Sequence, residues 1–192
     1  MTIRAARDDD DLTPVIRAAF GGEGHGDDVA AIWAEVVRDE LGLASLVEVR
    51  DGEIVGHVGL SRAWLDARRE LVDIWMLSPL SVRPDLQGGG IGTALLAAAV
   101  DAARTGGAPM LVLEGSPTYY GSRGFERASR HGIRPASVRS PDAGCQLVLF
   151  DAHEGWMTGQ VVYRDVWWRY DAAGLRDPRL ADLEARFAEL DG

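Results

Sequence analysis

The stretch that decides the fold runs from Leu80 to Thr93 and reads LSVRPDLQGGGIGT. Its apolar start is typical of a β-strand, and the alanine-rich segment from Ile91 to Arg104 is strongly helical. Between strand and helix, four of the five positions from 88 to 92 are glycine. Glycine allows close approach to the backbone, and a helix N-terminus carries unpaired N–H groups with partial positive charge. The stretch therefore predicts a turn that binds a phosphate or pyrophosphate group.

Two familiar phosphate-binding motifs do not fit this turn. No Gly-Lys-Ser/Thr follows it, so it is not a Walker P-loop. The dinucleotide fingerprint needs a third glycine three residues after the pair Gly88 and Gly90, where this chain has Thr93. The turn also does not follow the first strand of the chain. A glycine-rich connection that binds no ligand stays open as the alternative.

Apolar patterns on either side of the turn predict the fold class. Asp51-Gly52 separates the extended runs 45–50 and 53–60, which is a strong β-hairpin signal. The further predicted elements are a strand at 2–5, helices around 12–19 and 29–37, strands at 71–82, 110–113 and 145–150, and a helical turn at 117–122. The polar segment 127–143 is expected to be a surface loop. This order predicts an α/β or α+β domain with a mixed, mostly antiparallel central sheet flanked by helices.

Composition and charge narrow the class of protein. The net charge is −10, and this acidic balance argues against nucleic acid as the main partner. An acidic chain favours cationic small molecules, although acidity for solubility alone explains the same balance. Cys145 is the single cysteine, so no internal disulfide forms. We see neither a signal peptide nor a membrane span, and we expect a cytoplasmic protein with no membrane partner.

The C-terminal segment is too aromatic to be a linker. It holds Trp156, Trp167 and Trp168, followed by a helical pattern from Leu180 to Leu190. We therefore expect a catalytic domain over residues 1–152 and a Trp-rich extension over 153–192. Large apolar side chains should be buried, so the extension should pack on the domain or on a second copy of the chain in a homodimer.

Two motifs resemble those of the GNAT acetyltransferase superfamily. Gln87-x-x-Gly90-x-Gly92 matches its Gln/Arg-x-x-Gly-x-Gly/Ala signature, and Leu80-Ser81-Val82-x-Pro84 is similar to the strand that precedes it. The segment from Tyr119 to Phe125 resembles the Phe-Tyr-x-x-x-Gly-Phe motif of the same family. Both motifs occur in the family's order with one strand between them. The resemblance covers residues 2–152 and is closest to bacterial predicted N-acetyltransferases with Pro-x-Tyr-Tyr before the second motif.

The resemblance implies acetyl-CoA as cosubstrate on an acyl-CoA N-acyltransferase fold. Leu80 and Val82, with Ser81 between them, would offer backbone groups to the pantetheine arm. The pyrophosphate would bind the amides of the turn, which are those of Gln87, Gly88, Gly89, Gly90, Ile91, Gly92 and Thr93. Tyr120 would lie beside the thioester sulfur. The implied reaction is direct attack on the thioester by a primary amine of a small molecule or peptide.

Each proposed catalytic residue has a plainer alternative. Tyr120 is a plausible general acid for the leaving thiolate, and a core aromatic otherwise. Asp73 and Glu114 are candidates for the general base, and surface carboxylates otherwise. His25 and His57 are weaker candidates, since a loop histidine commonly faces solvent and His57 alternates with apolar sheet residues.

The remaining expectations concern a nucleophile, a metal and the function itself. Cys145 lies in an apolar strand, so we reject it as a nucleophile. No histidine and cysteine spacing suggests a metal. Three functions stay open: an N-acetyltransferase, a catalytically weak acyl-CoA-binding or sensing module on the same fold, and an interaction protein dominated by its tryptophan-rich extension. The sequence does not name the acceptor amine.

Overall fold

The computed structural model describes residues 2–21 and 24–190, and the chain divides into two compact units. The first unit comprises residues 1–62 and 75–107, and the second comprises 63–74 and 108–192. Strands β3 and β4 each contribute residues to both units. In chain order the elements are β1 Ile3–Ala5, α1 Thr13–Ala19, α2 His25–Arg38, β2 Gly42–Arg50, β3 Glu53–Ala67, β4 Leu71–Val82, α3 Ile91–Thr105, β5 Met110–Glu114, α4 Pro117–Gly121, β6 Glu126–Arg127, β7 Ile133–Arg134, β8 Cys145–Leu149, β9 Gly159–Val162, α5 Asp165–Arg169 and α6 Arg179–Ala188.

The first unit is built on the hairpin that the sequence predicts. Asp51 and Gly52 have φ angles of 51° and 84°, and they turn the chain between β2 and β3. The two strands pair antiparallel with Val47 opposite His57, and β1 adds antiparallel to β2. Because side chains alternate along a strand, successive residues of β2 and β3 point to opposite faces of the hairpin. The antiparallel pairing confirms the predicted hairpin.

Two helices of the first unit approach the hairpin at glycines. A Cβ on Gly59 would lie 2.4 Å from the ring of Trp33 in α2. A Cβ on Gly56 would lie 2.8 Å from Leu95 in α3. These glycines let the helices pack directly on the strand backbone, so that buried apolar side chains fill both contacts. The start of α3, where the glycine turn lies, is thereby held against the hairpin.

The second unit contains a further set of paired strands. β5 and β8 pair antiparallel with Val112 opposite Leu147, and β6 pairs antiparallel with β8. β9 pairs antiparallel with the end of β3, where Leu65 is opposite Val161, and parallel with β7. Antiparallel pairs therefore predominate in both units. The predicted class, a mixed and mostly antiparallel sheet flanked by helices, is confirmed.

Two expectations about the second half of the chain are wrong in part. Segment 127–143 is not a plain surface loop, because it contains β7 and buries Ala128 and Ile133 completely. The tryptophans are also not all buried: Trp167 is 6% exposed, whereas Trp168 is 43% exposed. The sequence does not indicate that segment 127–143 contributes to the core, because most of its residues are polar and β7 has only two residues. The boundary predicted at Ala152 stays a prediction.

No helix among the described residues is both long and apolar enough to cross a lipid bilayer.

Candidate functional site

The glycine turn has the geometry that anion binding requires. Gly88 and Gly90 have φ angles of 77° and 85°, in the left-handed region that favours glycine. Gly90 is the N-cap of α3, and no side chain caps the helix there. A Cβ at Gly88 or Gly90 would meet no heavy atom of the rest of the chain within 4 Å. The space in front of these backbone groups is therefore open.

The amides of this turn are free to bind a ligand. From Gly88 to Gly92, no backbone N–H donates to an acceptor in the described part of the chain. The first backbone hydrogen bond of α3 in this region runs from the Ala94 N–H to the Gly90 carbonyl at 3.0 Å. Five successive unpaired amides at the N-terminus of a helix form an anion nest. We refer to residues 88–92 as the amide nest, whose unpaired donors are of the kind that bind phosphate groups.

The side chains around the amide nest hold the turn. Gln87 folds back and donates from Nε2 to the Val82 carbonyl at 3.1 Å, so this residue closes the loop with its side chain. Arg83 donates to Glu53 at 2.9 Å and to both carboxylate oxygens of Asp85 at 2.8 and 3.1 Å. The charge of the nearby arginine is therefore balanced within the protein. A phosphate bound at this turn would therefore interact mainly with backbone amides and the helix dipole.

The predicted pantetheine strand forms the end of β4. Leu80 and Val82 are half-buried, whereas Ser81 is completely buried. The Ser81 hydroxyl has no hydrogen-bond partner among the described residues. Its side chain thus faces the core, and only backbone groups of this residue are candidates for contact with a ligand.

Tyr120 lies in the second unit on α4, a short helix after β5. Ser116 caps the helix by accepting a hydrogen bond from the Tyr119 N–H at 3.3 Å. The Tyr120 ring packs edge-on against Phe125, with centroids 5.7 Å apart, and lies close over Gly115. A Cβ on Gly115 would come within 2.3 Å of this ring. The absence of a side chain at Gly115 therefore leaves room for the Tyr120 ring at this position.

The Tyr120 hydroxyl has the properties of a proton donor. It makes no hydrogen bond with the described part of the chain. Burial raises the pKa of Tyr120 to about 12; Tyr119 adds to this shift and the Arg123 guanidinium opposes it. A phenol with a raised pKa stays protonated at neutral pH, so its proton is present at the site, although the same shift makes the phenol a weaker acid than an alkyl thiol.

Tyr119 is held in a different way from Tyr120. The Arg123 guanidinium stacks over the Tyr119 ring at 3.8 Å from its centroid, and it also donates to the Tyr119 carbonyl at 2.6 Å. This arrangement gives the Tyr119 ring a packing partner. The two adjacent tyrosines therefore differ in their surroundings: Tyr119 packs against Arg123, whereas Tyr120 packs against Phe125.

Glu114 ends β5 and is the better held of the two candidate bases. Its Oε1 accepts hydrogen bonds from the Tyr163 hydroxyl at 2.7 Å and from the Ser140 hydroxyl at 2.9 Å. Burial raises the pKa of Glu114, and the two hydrogen bonds and the Arg139 charge oppose that shift. Asp73 is exposed on β4, and its side chain makes no hydrogen bond or ion pair within the described residues. The structure thus surrounds Glu114 with partners and leaves Asp73 without them.

The other titratable candidates have structural surroundings. His57 is completely buried, its Nε2 lies 3.0 Å from the Ser45 hydroxyl, and burial lowers its pKa to about 3. His25 begins α2 and contacts the edge of the Phe20 ring. Cys145 is buried and its pKa is raised to about 12, mainly by burial, which is unfavourable for a nucleophilic thiolate. Within residues 2–21 and 24–190, no three metal-ligating side chains converge.

Sequence reasoning missed the two residues that hold Glu114. Ser140 lies in the segment interpreted as a loop, and Tyr163 lies in the C-terminal extension. They are 26 and 49 residues from Glu114 along the chain, so no local pattern links them to it. The one sequence feature that could have drawn attention to Tyr163 is its place directly after the apolar pair Val161-Val162.

Comparisons with known proteins agree with this geometry. The family described as "Acetyltransferase (GNAT) family" matches residues 10–127, which include the amide nest and α4. A curated Escherichia coli protein, "Uncharacterized N-acetyltransferase YjhQ", is 31% identical over 136 residues, covering 70% of this chain and 74% of its own length.

Two solved structures share the fold. A GNAT family N-acetyltransferase (YhbS) from Escherichia coli, in complex with CoA, superposes with a TM-score of 0.75 at 24% identity over 91% of this chain and 95% of its own. A GNAT family acetyltransferase from Brucella melitensis, in complex with acetyl-CoA, has a TM-score of 0.69 at 25% identity over 86% and 97% of the two chains. Together with the matches to the family and to the curated relative, they show that this chain belongs to the GNAT acetyltransferase family.

Proposed function

We propose that this protein is an acetyl-CoA-dependent N-acetyltransferase that acts on a primary amine of a small molecule or peptide. The observation that carries the proposal is the amide nest, because five unpaired amides at a helix N-terminus suit a pyrophosphate. Family membership and a relative in complex with acetyl-CoA support that identification of the cosubstrate.

Two parts of the cosubstrate, the pyrophosphate and the pantetheine arm, have a proposed binding segment. The amides from Gln87 to Thr93 surround the pyrophosphate, with those from Gly88 to Gly92 unpaired. Backbone groups of Leu80, Ser81 and Val82 bind the pantetheine arm as an added strand would. The Val82 carbonyl already accepts from Gln87, so further bonds to it use its second lone pair.

The proposed reaction is a direct transfer of the acetyl group. The neutral amine nitrogen attacks the thioester carbonyl carbon, a C–N bond forms, and the C–S bond breaks. The amine loses one proton to a carboxylate, either Glu114 or Asp73. The departing thiolate takes one proton from the Tyr120 hydroxyl, which solvent later replaces. The products are an amide and the free thiol of coenzyme A.

Two measurements test this proposal. Calorimetry with acetyl-CoA should show binding, and NAD or ATP should compete poorly. Turnover is then measured as thiol release with propylamine, putrescine, spermidine, lysine and trialanine, which sample small amines and peptide amines. Turnover of any one of them supports the transferase. Binding without turnover on a broad amine panel would identify the weak acyl-CoA-binding module, and absence of acetyl-CoA binding would refute both.

A further inference from the structure

Tyr163 brings the C-terminal extension into contact with a proposed catalytic carboxylate. It directly follows β9, beyond residues 10–127 that match the family. Its hydroxyl donates to Glu114 Oε1 at 2.7 Å, and the Ser140 hydroxyl donates to the same oxygen at 2.9 Å. Both donors are only 6% exposed. A buried phenol and a buried serine therefore converge on one oxygen of one carboxylate.

The two oxygens of Glu114 differ in their surroundings. Oε1 takes both hydrogen bonds, whereas Oε2 accepts none from the described residues. Glu114 itself is half-buried, so the carboxylate is not sealed in the core. A carboxylate anchored by one oxygen keeps the other available to accept a proton in a defined direction.

We propose that Glu114 is the general base for the acceptor amine and that Tyr163 and Ser140 are the positioning residues that hold it. The inference rests on the transferase activity proposed above. It selects Glu114 over Asp73, which has no comparable support. It also assigns a role to the extension: the segment after Ala152 completes the catalytic centre.

The proton path is balanced. The attacking amine gives one proton to Glu114 Oε2 as its nitrogen bonds to the carbonyl carbon and the C–S bond breaks. Glu114 is then a neutral carboxylic acid, still hydrogen-bonded through Oε1, and it releases the proton to water. The Tyr163 hydroxyl stays protonated, because burial raises its pKa well above the usual value, and it acts by donating its hydrogen bond to Oε1.

The groups facing Glu114 determine its charge. The Tyr163 and Ser140 hydroxyls and the Arg139 guanidinium favour the carboxylate, whereas burial favours the acid. Arg139 also forms an ion pair with Asp171 at 2.9 Å, which fixes its position. The Cys145 thiol faces Glu114 as well and stays neutral because its pKa is about 12. Loss of a hydroxyl donor therefore raises the pKa of Glu114.

The sign of the pH effect follows from these partners. Glu114 must be ionised to act as a base, so activity rises with pH through its pKa. Tyr163→Phe removes one bond to the carboxylate and keeps the ring. We expect the acid limb of kcat/KM to move up by about one pH unit, so that kcat/KM at pH values below both limbs falls about tenfold. The deficit should shrink as pH rises, which a purely structural loss would not produce.

The experiment measures pH profiles on the full chain with acetyl-CoA and the fastest amine among those named above. The variants are Tyr163→Phe, Ser140→Ala and Glu114→Gln, with acetyl-CoA affinity measured for each. Ser140→Ala should move the limb in the same direction as Tyr163→Phe. Glu114→Gln should lower kcat by about 10²- to 10⁴-fold and abolish the limb. Asp73→Asn tests the competing base, and Glu70→Gln, at an exposed carboxylate outside the proposed site, is the matched control that should keep the wild-type limb.

Several results would overturn the inference. The positioning role is refuted if Tyr163→Phe and Ser140→Ala both keep the acid limb at its wild-type pH. The assignment of the base is refuted if Glu114→Gln keeps the acid limb or if Asp73→Asn loses it. Infrared titration of the Glu114 carboxyl, identified by its absence in Glu114→Gln, needs no acceptor. An unmoved titration in Tyr163→Phe refutes the positioning role even if no amine turns over. A moved titration in an enzyme without turnover refutes the base and the proposed function together.

Discussion

Replacing Gly90 with valine tests whether the amide nest binds the cosubstrate. Gly90 has a φ angle of 85°, and a Cβ there would project into open space in front of the free amides. A branched side chain would obstruct the approach of a ligand to one or two of them. A hydrogen bond to a charged group contributes about 1.5–3 kcal/mol, so we expect acetyl-CoA binding to weaken by about 10- to 10⁴-fold.

The same substitution also strains the backbone, and a second glycine separates the two effects. A side chain in the left-handed region costs about 1–2 kcal/mol of folding free energy. Gly107, just beyond the other end of α3, has a φ angle of 77° and is equally open. Gly107→Val should therefore lose similar stability in thermal denaturation while its acetyl-CoA affinity in calorimetry stays at the wild-type value.

A third variant avoids the strain. Gly92 lies in the first turn of α3 and does not have a positive φ angle. Gly92→Val should weaken acetyl-CoA binding with little change in the melting temperature. Unchanged affinity in both Gly90→Val and Gly92→Val would refute the assignment of the amide nest, as would an equal loss of affinity in Gly107→Val.

Three further predictions address the second unit. Tyr120→Phe should lower kcat by about 10²- to 10⁴-fold with little change in acetyl-CoA affinity, whereas Tyr119→Phe should do little; the reverse result would move the acid role to Tyr119. Gly115→Ala should lower kcat by displacing the Tyr120 ring, and steady-state kinetics equal to wild type would contradict the contact. Removing residues after Ala152 should lower the melting temperature, because β9 pairs with the end of β3; an equally stable, soluble monomer in denaturation and gel filtration would contradict it.

The features that the sequence predicts well are local ones. The glycine turn, the start of α3 and the hairpin at Asp51-Gly52 are each specified by residues within a few positions of each other. The conformational freedom of glycine and the open end of a helix act over that same short range. Apolar runs likewise predict β5, from Met110 to Leu113, and β8, where only Gln146 interrupts the run.

Predictions for the second half of the chain were less accurate. The strand β9 has four residues and β7 has two, too short for periodicity to show them. Trp168 is exposed although its neighbour Trp167 is buried, since adjacent residues in α5 lie on different sides of the helix. Hydrophobicity alone does not distinguish such neighbours.

The sequence by itself predicts the turn proposed to bind an anion, because a turn and a helix N-terminus form from adjacent residues. Only the tertiary structure distinguishes the two candidate carboxylates. Both Asp73 and Glu114 carry a carboxyl group, so the sequence alone does not separate them. They differ in the fold because two hydroxyls, from 26 and 49 residues away, reach one oxygen of Glu114. Hydrogen bonds depend on distance in space, and the packing of β5, β9 and the segment between β7 and β8 sets those distances.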